Sequence, residues 1–147
     1  MQIYSVDELV PHSGRMSLLS RVIQVEEDTL FAEVDIHKSA TFAESNGVPA
    51  WVGLEYLAQA IGAYAGYQER TQGGAPKIGF LLGTRKYTSN CEYFPLGTTL
   101  TLKVTRNMQA ENGLSTFDGE LYTDGINASA RLNVFQPDNA EEFLKEV

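Results

Sequence analysis

The twenty residues from Val48 to Tyr67, VPAWVGLEYLAQAIGAYAGY, decide the reading of this chain. They are apolar or small on nearly every side and contain a single carboxylate, Glu55, and no lysine, arginine or histidine. Their length and their Ala and Leu content predict a helix, and a helix that is hydrophobic all round belongs inside a protein. A carboxylate carried into such a place has to be paired, hydrogen-bonded or held protonated, because burying a bare charge is costly. Glu55 is therefore expected to have a perturbed pKa and is the first candidate for an acid or base.

The segments around the helix read as strand. Leu30, Ala32, Val34 and Ile36 alternate with Phe31, Glu33, Asp35 and His37, the period of a strand with one buried face. Arg21 to Val25 forms the partner strand, and Glu26-Glu27-Asp28 the polar turn between them. Asn46-Gly47 makes a turn, Pro49 sits near the helix start, and Gly73-Gly74-Ala75-Pro76 stops the helix after it ends between Gly66 and Gln72. Beyond it lie strands over Lys77 to Tyr87, around Leu100, Leu102 and Val104, over Leu114 to Leu121, and over Ile126 to Phe135. Glu111-Asn112-Gly113 and Thr123-Asp124-Gly125 supply hairpin turns. The order is two strands, one long helix and four strands, an α+β chain in which an antiparallel sheet must wrap the helix. With 147 residues, no repeat and no linker, residues 1–147 read as one domain.

Composition narrows the function. A net charge of −8 opposes a nucleic-acid role, which needs a basic face. Arg85-Lys86 is a local basic pair that Arg15, Arg21 and Arg106 would enlarge if they met it in space; the plainer alternative is scattered solubilising charge. One cysteine, Cys91, excludes an internal disulfide, and with only His12 and His37 no metal site or other cofactor is expected. The start of the chain lacks the pattern of a secretion signal, which points to the cytoplasm. Glu55 and Gln59 near the middle of the apolar helix argue against a membrane span.

Glu55 and Gln59 are four residues apart and share a helix face that continues through Gly62 and Gly66. A carboxylate beside an amide, followed by glycines, describes a polar mouth above a narrow groove for a slender chain. The structural alternative is a glutamate reaching solvent or a backbone N–H. Leu54, Leu57, Ala58, Ile61 and Ala65 form the opposite stripe and are expected to pack on the sheet. Gly79 and Gly83 lack the spacing of a dinucleotide fingerprint and read as easing a strand past the helix. Cys91 reads as a packed thiol.

The whole pattern resembles the hotdog-fold 3-hydroxyacyl-(acyl carrier protein) dehydratases of the FabZ and FabA kind. LVPHSGRMSLLSRVIQVEED, residues 9–28, is similar to their Pro-His start and first strand. In VPAWVGLEYLAQAIG, Pro49, Glu55, Ala58 and Gln59 fit their helix motif, and Phe117 to Leu132 is similar to their closing hairpin. PAWVGLEYLAQAI is closer still to the ApeP type, associated with aryl-polyene biosynthesis. The resemblance implies a hotdog fold, an antiparallel sheet around one long central helix, and chemistry on acyl carrier protein or coenzyme A thioesters. It also implies a homodimer, or a heterodimer with another hotdog subunit.

Under that resemblance Glu55 acts as acid or base, Gln59 orients it, the amides of Trp51, Val52 and Gly53 polarise the thioester carbonyl, and Gly62 lies in the substrate groove. One departure stands out. The family's catalytic histidine belongs in the stretch SATFAESNGVP, where either Thr41 or Ser45 takes its place. His37 reads as a solvated edge histidine and His12 as an ordering residue of the N-terminal segment. Three readings stay open: a dehydratase, a thioesterase in which the carboxylate activates water or attacks the thioester, and a subunit that lends Glu55 to a partner's histidine or holds a ligand without chemistry.

Overall fold

A computed structural model describes residues 17–71, 80–109 and 113–135. The strands are β1 (Arg21–Val25), β2 (Thr29–Asp35), the two-residue β3 (Val48–Pro49), β4 (Phe80–Ser89), the two-residue β5 (Tyr93–Phe94), β6 (Thr99–Gln109), β7 (Leu114–Thr123) and β8 (Ile126–Phe135). The helix α1 runs over Gly53–Thr71, after a 3-10 turn at Ala50–Val52. Six strands form one antiparallel sheet in the order β1-β2-β6-β7-β8-β4, so β1 and β4 are its two edges.

The alternation seen in the sequence becomes the concave face of that sheet. Leu30, Ala32 and Val34 of β2 lie opposite Val104, Leu102 and Leu100 of β6. In turn Leu102 pairs with Leu121, and Leu121 with Ala128, so one apolar surface crosses four strands. All these residues are buried. Helix α1 lies on this surface through Tyr56, Leu57, Ala60, Ile61, Ala63 and Tyr64. Gly119, at the middle of the sheet, makes room for it: a Cβ there would stand 3.0–3.3 Å from the Leu57 side chain. Burying Leu57 and Ile61 contributes about 1.5–3 kcal/mol each, so the helix is held chiefly by this contact.

Three expectations change. The helix begins at Gly53 rather than at Val48, because Pro49 has φ −55° and ψ 138°, an extended conformation, and Val48–Pro49 pairs with Phe94 and Tyr93. The sheet-facing stripe is also different. Leu57 and Ile61 are buried on the sheet as expected, but Leu54 and Ala58 only touch the margin of the core and, like Ala65, stay half-buried. Tyr56 and Tyr64 take the inner side, where their rings pack on Phe94 and Phe117 with centroids 6.3 and 5.8 Å apart. Finally, the described sheet covers one side of the helix rather than most of it. The arc carrying Leu54, Glu55, Ala58, Gly62 and Ala65 stays half-exposed.

Candidate active site

Glu55 lies in the first turn of α1, where the positive end of the helix dipole favours a carboxylate. It is half-buried, not sealed in as its apolar surroundings in sequence suggested. One turn on, Gln59 is fully buried. Its Nε2 donates to Glu55 Oε1 at 3.2 Å, and its Oε1 accepts the backbone N–H of Leu18 at 2.8 Å. The amide is thus gripped at both ends: the segment ahead of β1 fixes Gln59, and Gln59 fixes one side of the carboxylate. This is a positioning arrangement built from residues 41 apart in sequence.

The other site residues are less uniform. Trp51 is 64% exposed and meets the edge of Phe42, itself 41% exposed, with ring centroids 5.8 Å apart. Phe42 has φ 71°, a left-handed conformation that is a genuine outlier for a bulky side chain. Val52 is fully buried in the core. Gly53 donates its N–H to the carbonyls of Ala50 and Trp51, so that amide is engaged inside the turn. The glycine is there for packing: a Cβ would collide with the Tyr87 hydroxyl and come within 2.9 Å of Leu121 and 3.1 Å of Phe94. Gly62 is half-buried, with open space where a Cβ would project. Gly66 is buried on the same helix.

His37 is exposed and its Nδ1 lies 2.9 Å from Ser39 Oγ. Ser45 is exposed on the loop before β3, while Thr41 lines a cavity of about 220 Å³ beneath the 37–41 loop. His12, Arg15 and Gly79 lie outside the described residues. Cys91 is half-buried against the core, in a turn where Ser89 Oγ donates to its carbonyl and accepts its N–H.

Among the described side chains, Arg21 and Arg106 do not gather with Lys86. Arg21 on the β1 edge pairs with Glu33 at 2.8 Å and Asp35 at 2.6 Å, and Arg106 on β6 pairs with Asp28 at 3.0 Å. Lys86 sits on β4 at the opposite edge from β1. Each of those arginines answers a local carboxylate. Sequence reasoning missed Leu18 as the partner of Gln59 and Tyr56 in the cavity wall. No pattern signals a backbone N–H 41 residues away, and a tyrosine in an apolar helix reads as filler.

One antiparallel sheet folded over a single helix, with a carboxylate in the helix's first turn and an amide gripping it, defines a hotdog protein of the dehydratase-like class. The chain belongs to the ApeP-like family, whose family model, ApeP dehydratase, matches residues 4–145. It is similar to a chain of the dehydratase heterocomplex ApeI:P from Xenorhabdus doucetiae, with 28% identity, 97% of each chain covered and a TM-score of 0.88. Two more distant structures share the fold. One is the PaaI protein from the phenylacetic acid degradation operon of E. coli, with 14% identity, 78% of this chain and 80% of that one covered, and a TM-score of 0.59. The other is a hypothetical thioesterase with coenzyme A from Streptococcus pneumoniae, with 13% identity, coverage of 79% and 86%, and a TM-score of 0.59. No curated protein matches the chain. No helix among the described residues is long and apolar enough to cross a membrane.

Proposed function

We propose that this protein is the glutamate-bearing subunit of a two-chain hotdog dehydratase acting on 3-hydroxyacyl thioesters, with Glu55 as the acid. The observation that carries the reading is the half-exposed Glu55, held by the doubly bonded Gln59, on a helix side that its own sheet leaves uncovered. Dehydration breaks the C2–H and C3–O bonds, forms the C2=C3 double bond and releases water. A protonated Glu55 gives its proton to the departing C3 hydroxyl; a base has to take the C2 proton. The loop that carries the family's histidine offers Thr41 or Ser45, and neither is a base at neutral pH. The base therefore comes from the other chain.

The similar chain from Xenorhabdus doucetiae belongs to a heterocomplex with ApeI, which supports a second hotdog subunit as the partner. Leu54, Ala58, Gly62 and Ala65 give that partner an apolar seat beside Glu55. The test is co-expression with candidate hotdog partners, followed by assay of the protein alone and of each complex on 3-hydroxyacyl and simple acyl thioesters of carrier protein and of coenzyme A. Water loss from the 3-hydroxyacyl substrate only in a complex is the expected result. Dehydration by the lone protein would refute the shared site, and hydrolysis of simple acyl thioesters in its place would make the protein a thioesterase.

A further inference from the structure

The cavity beneath the 37–41 loop is walled by Leu18, His37, Ser39, Thr41 and Tyr56 among others. Glu55 is not part of that wall, although Leu18 links the two places through Gln59. Tyr56 is unusual among the buried phenols. Tyr64 donates its hydroxyl to the Glu27 carbonyl at 2.7 Å, and Tyr87 donates to the Ala50 carbonyl. Tyr56 is just as deeply buried, at 1% exposure, and its ring packs on Phe94 with centroids 6.3 Å apart. Its hydroxyl, however, hydrogen-bonds to no described residue. Proteins rarely leave a buried O–H without a partner, since the desolvation is then uncompensated.

We propose that this cavity is a ligand subsite in which the Tyr56 hydroxyl donates a hydrogen bond to the carbonyl oxygen of a short, uncharged acyl-thioester head. The proposal rests on the thioester reading above for the class of ligand and deepens it by naming a recognition residue. Three observations bear on the chemistry. No lysine or arginine lines the cavity among the described residues, and its one carboxylate, Asp35, is already clamped by Arg21 through two hydrogen bonds of 3.0 and 2.6 Å. An anion would thus find no lysine or arginine there, and the imidazole of His37 is engaged with Ser39 Oγ at 2.9 Å. The wall carries neutral hydroxyls at Thr41 and at Ser39, whose Oγ meets His37 Nδ1 at 2.9 Å, and Leu18, Val34 and Ala40 provide apolar contact. Burial, with the Tyr87 phenol nearby, holds the Tyr56 hydroxyl well above the ordinary tyrosine range. It remains a donor at any physiological pH. The volume of about 220 Å³ suits the few atoms around a thioester carbonyl rather than a long chain.

The probe is S-acetyl-N-acetylcysteamine, a small neutral thioester, titrated into the purified protein and followed by NMR. Binding to the wild type is expected, with affinity reduced about 2–10-fold in Tyr56→Phe, the value of one neutral hydrogen bond, and abolished in Thr41→Trp, which fills the cavity. Glu55→Gln is expected to bind the probe like the wild type, which separates this subsite from the acid: loss of turnover in that variant with binding intact leaves the subsite standing. A second measurement uses the ligand-free protein. Tyr56→Phe removes an unpartnered hydroxyl and is expected to melt at the wild-type temperature or higher, whereas Tyr64→Phe loses its bond to Glu27 and melts lower. Failure of the wild type to bind the probe, equal binding by Tyr56→Phe, or a fall in melting temperature for Tyr56→Phe matching that of Tyr64→Phe would each overturn the proposal.

Discussion

Replacing Gln59 by leucine removes a side chain that joins the segment ahead of β1 to the proposed acid. The new side chain has nearly the same volume and fits a fully buried position, so packing changes little. What is lost is polar. The Leu18 N–H, held at 2.8 Å, is left without its acceptor, which costs about 1–3 kcal/mol for a buried donor. The 3.2 Å bond to Glu55 is longer and half-exposed, so water replaces much of it, at about 0.5 kcal/mol. A loss of about 1.5–3.5 kcal/mol in a chain of this size lowers the melting temperature by roughly 3–14 °C. Urea unfolding followed by circular dichroism measures it directly. Gln59→Glu is the control that separates the two bonds: its carboxylate still accepts the Leu18 N–H but faces Glu55 with like charge, so its stability should recover as pH falls and one of the pair takes up a proton. An unchanged urea midpoint for Gln59→Leu would refute the positioning argument.

Gly53→Ala should be the more damaging of two glycine substitutions. Alanine gains about 1 kcal/mol in helix propensity, but its Cβ collides with the Tyr87 hydroxyl that anchors the Ala50 carbonyl, whereas at Gly119 only the Leu57 side chain has to shift; equal melting temperatures for Gly53→Ala and Gly119→Ala would contradict this. Gly62→Leu, by contrast, projects into open space and should leave the stability of the single chain within about 1 kcal/mol while preventing assembly with a hotdog partner; a normal complex by sedimentation would show that the partner sits elsewhere. At high pH the buried phenols govern stability. Burial, with Cys91 beside it, pushes Tyr87 up to about 12, and Tyr56 lies higher still. Because these groups stay protonated longer in the folded state, their contribution is complete below pH about 10 and is lost as pH rises toward 12. In an absorbance titration, part of the ionisation of the seven tyrosines should accompany unfolding; all seven titrating near pH 10 in protein that stays folded would refute that.

The sheet was largely legible because its strands have one buried face. Arg21–Val25 and Ile126–Phe135 have the bounds that the sequence predicted, and β2 starts one residue before the alternating run Leu30–His37 and ends two before its end. The pair β3 and β5 was not legible, since two residues carry no period, and Pro49 marks an extended step there as readily as a helix start. Periodicity could not orient the helix either. An all-apolar helix has no polar face to point outward, so the choice between Leu54 and Tyr56 for the inner side was made by the shape of the sheet floor. Glu55 and Gln59 stood out as the polar pair in an apolar run, and their spacing predicted their contact. The left-handed Phe42 and the Tyr56 hydroxyl, which no described residue meets, depend on contacts made only after the chain has folded.

The central claim is that Glu55 supplies the acid for dehydration in a two-chain site. The most direct measurement is the rate of water loss from a 3-hydroxyacyl thioester by the complex with its hotdog partner, compared with the same complex carrying Glu55→Gln. The account predicts a fall of about 10²–10⁴-fold, the range for removing a general acid, with assembly and melting temperature unchanged. An undiminished rate in Glu55→Gln would contradict it.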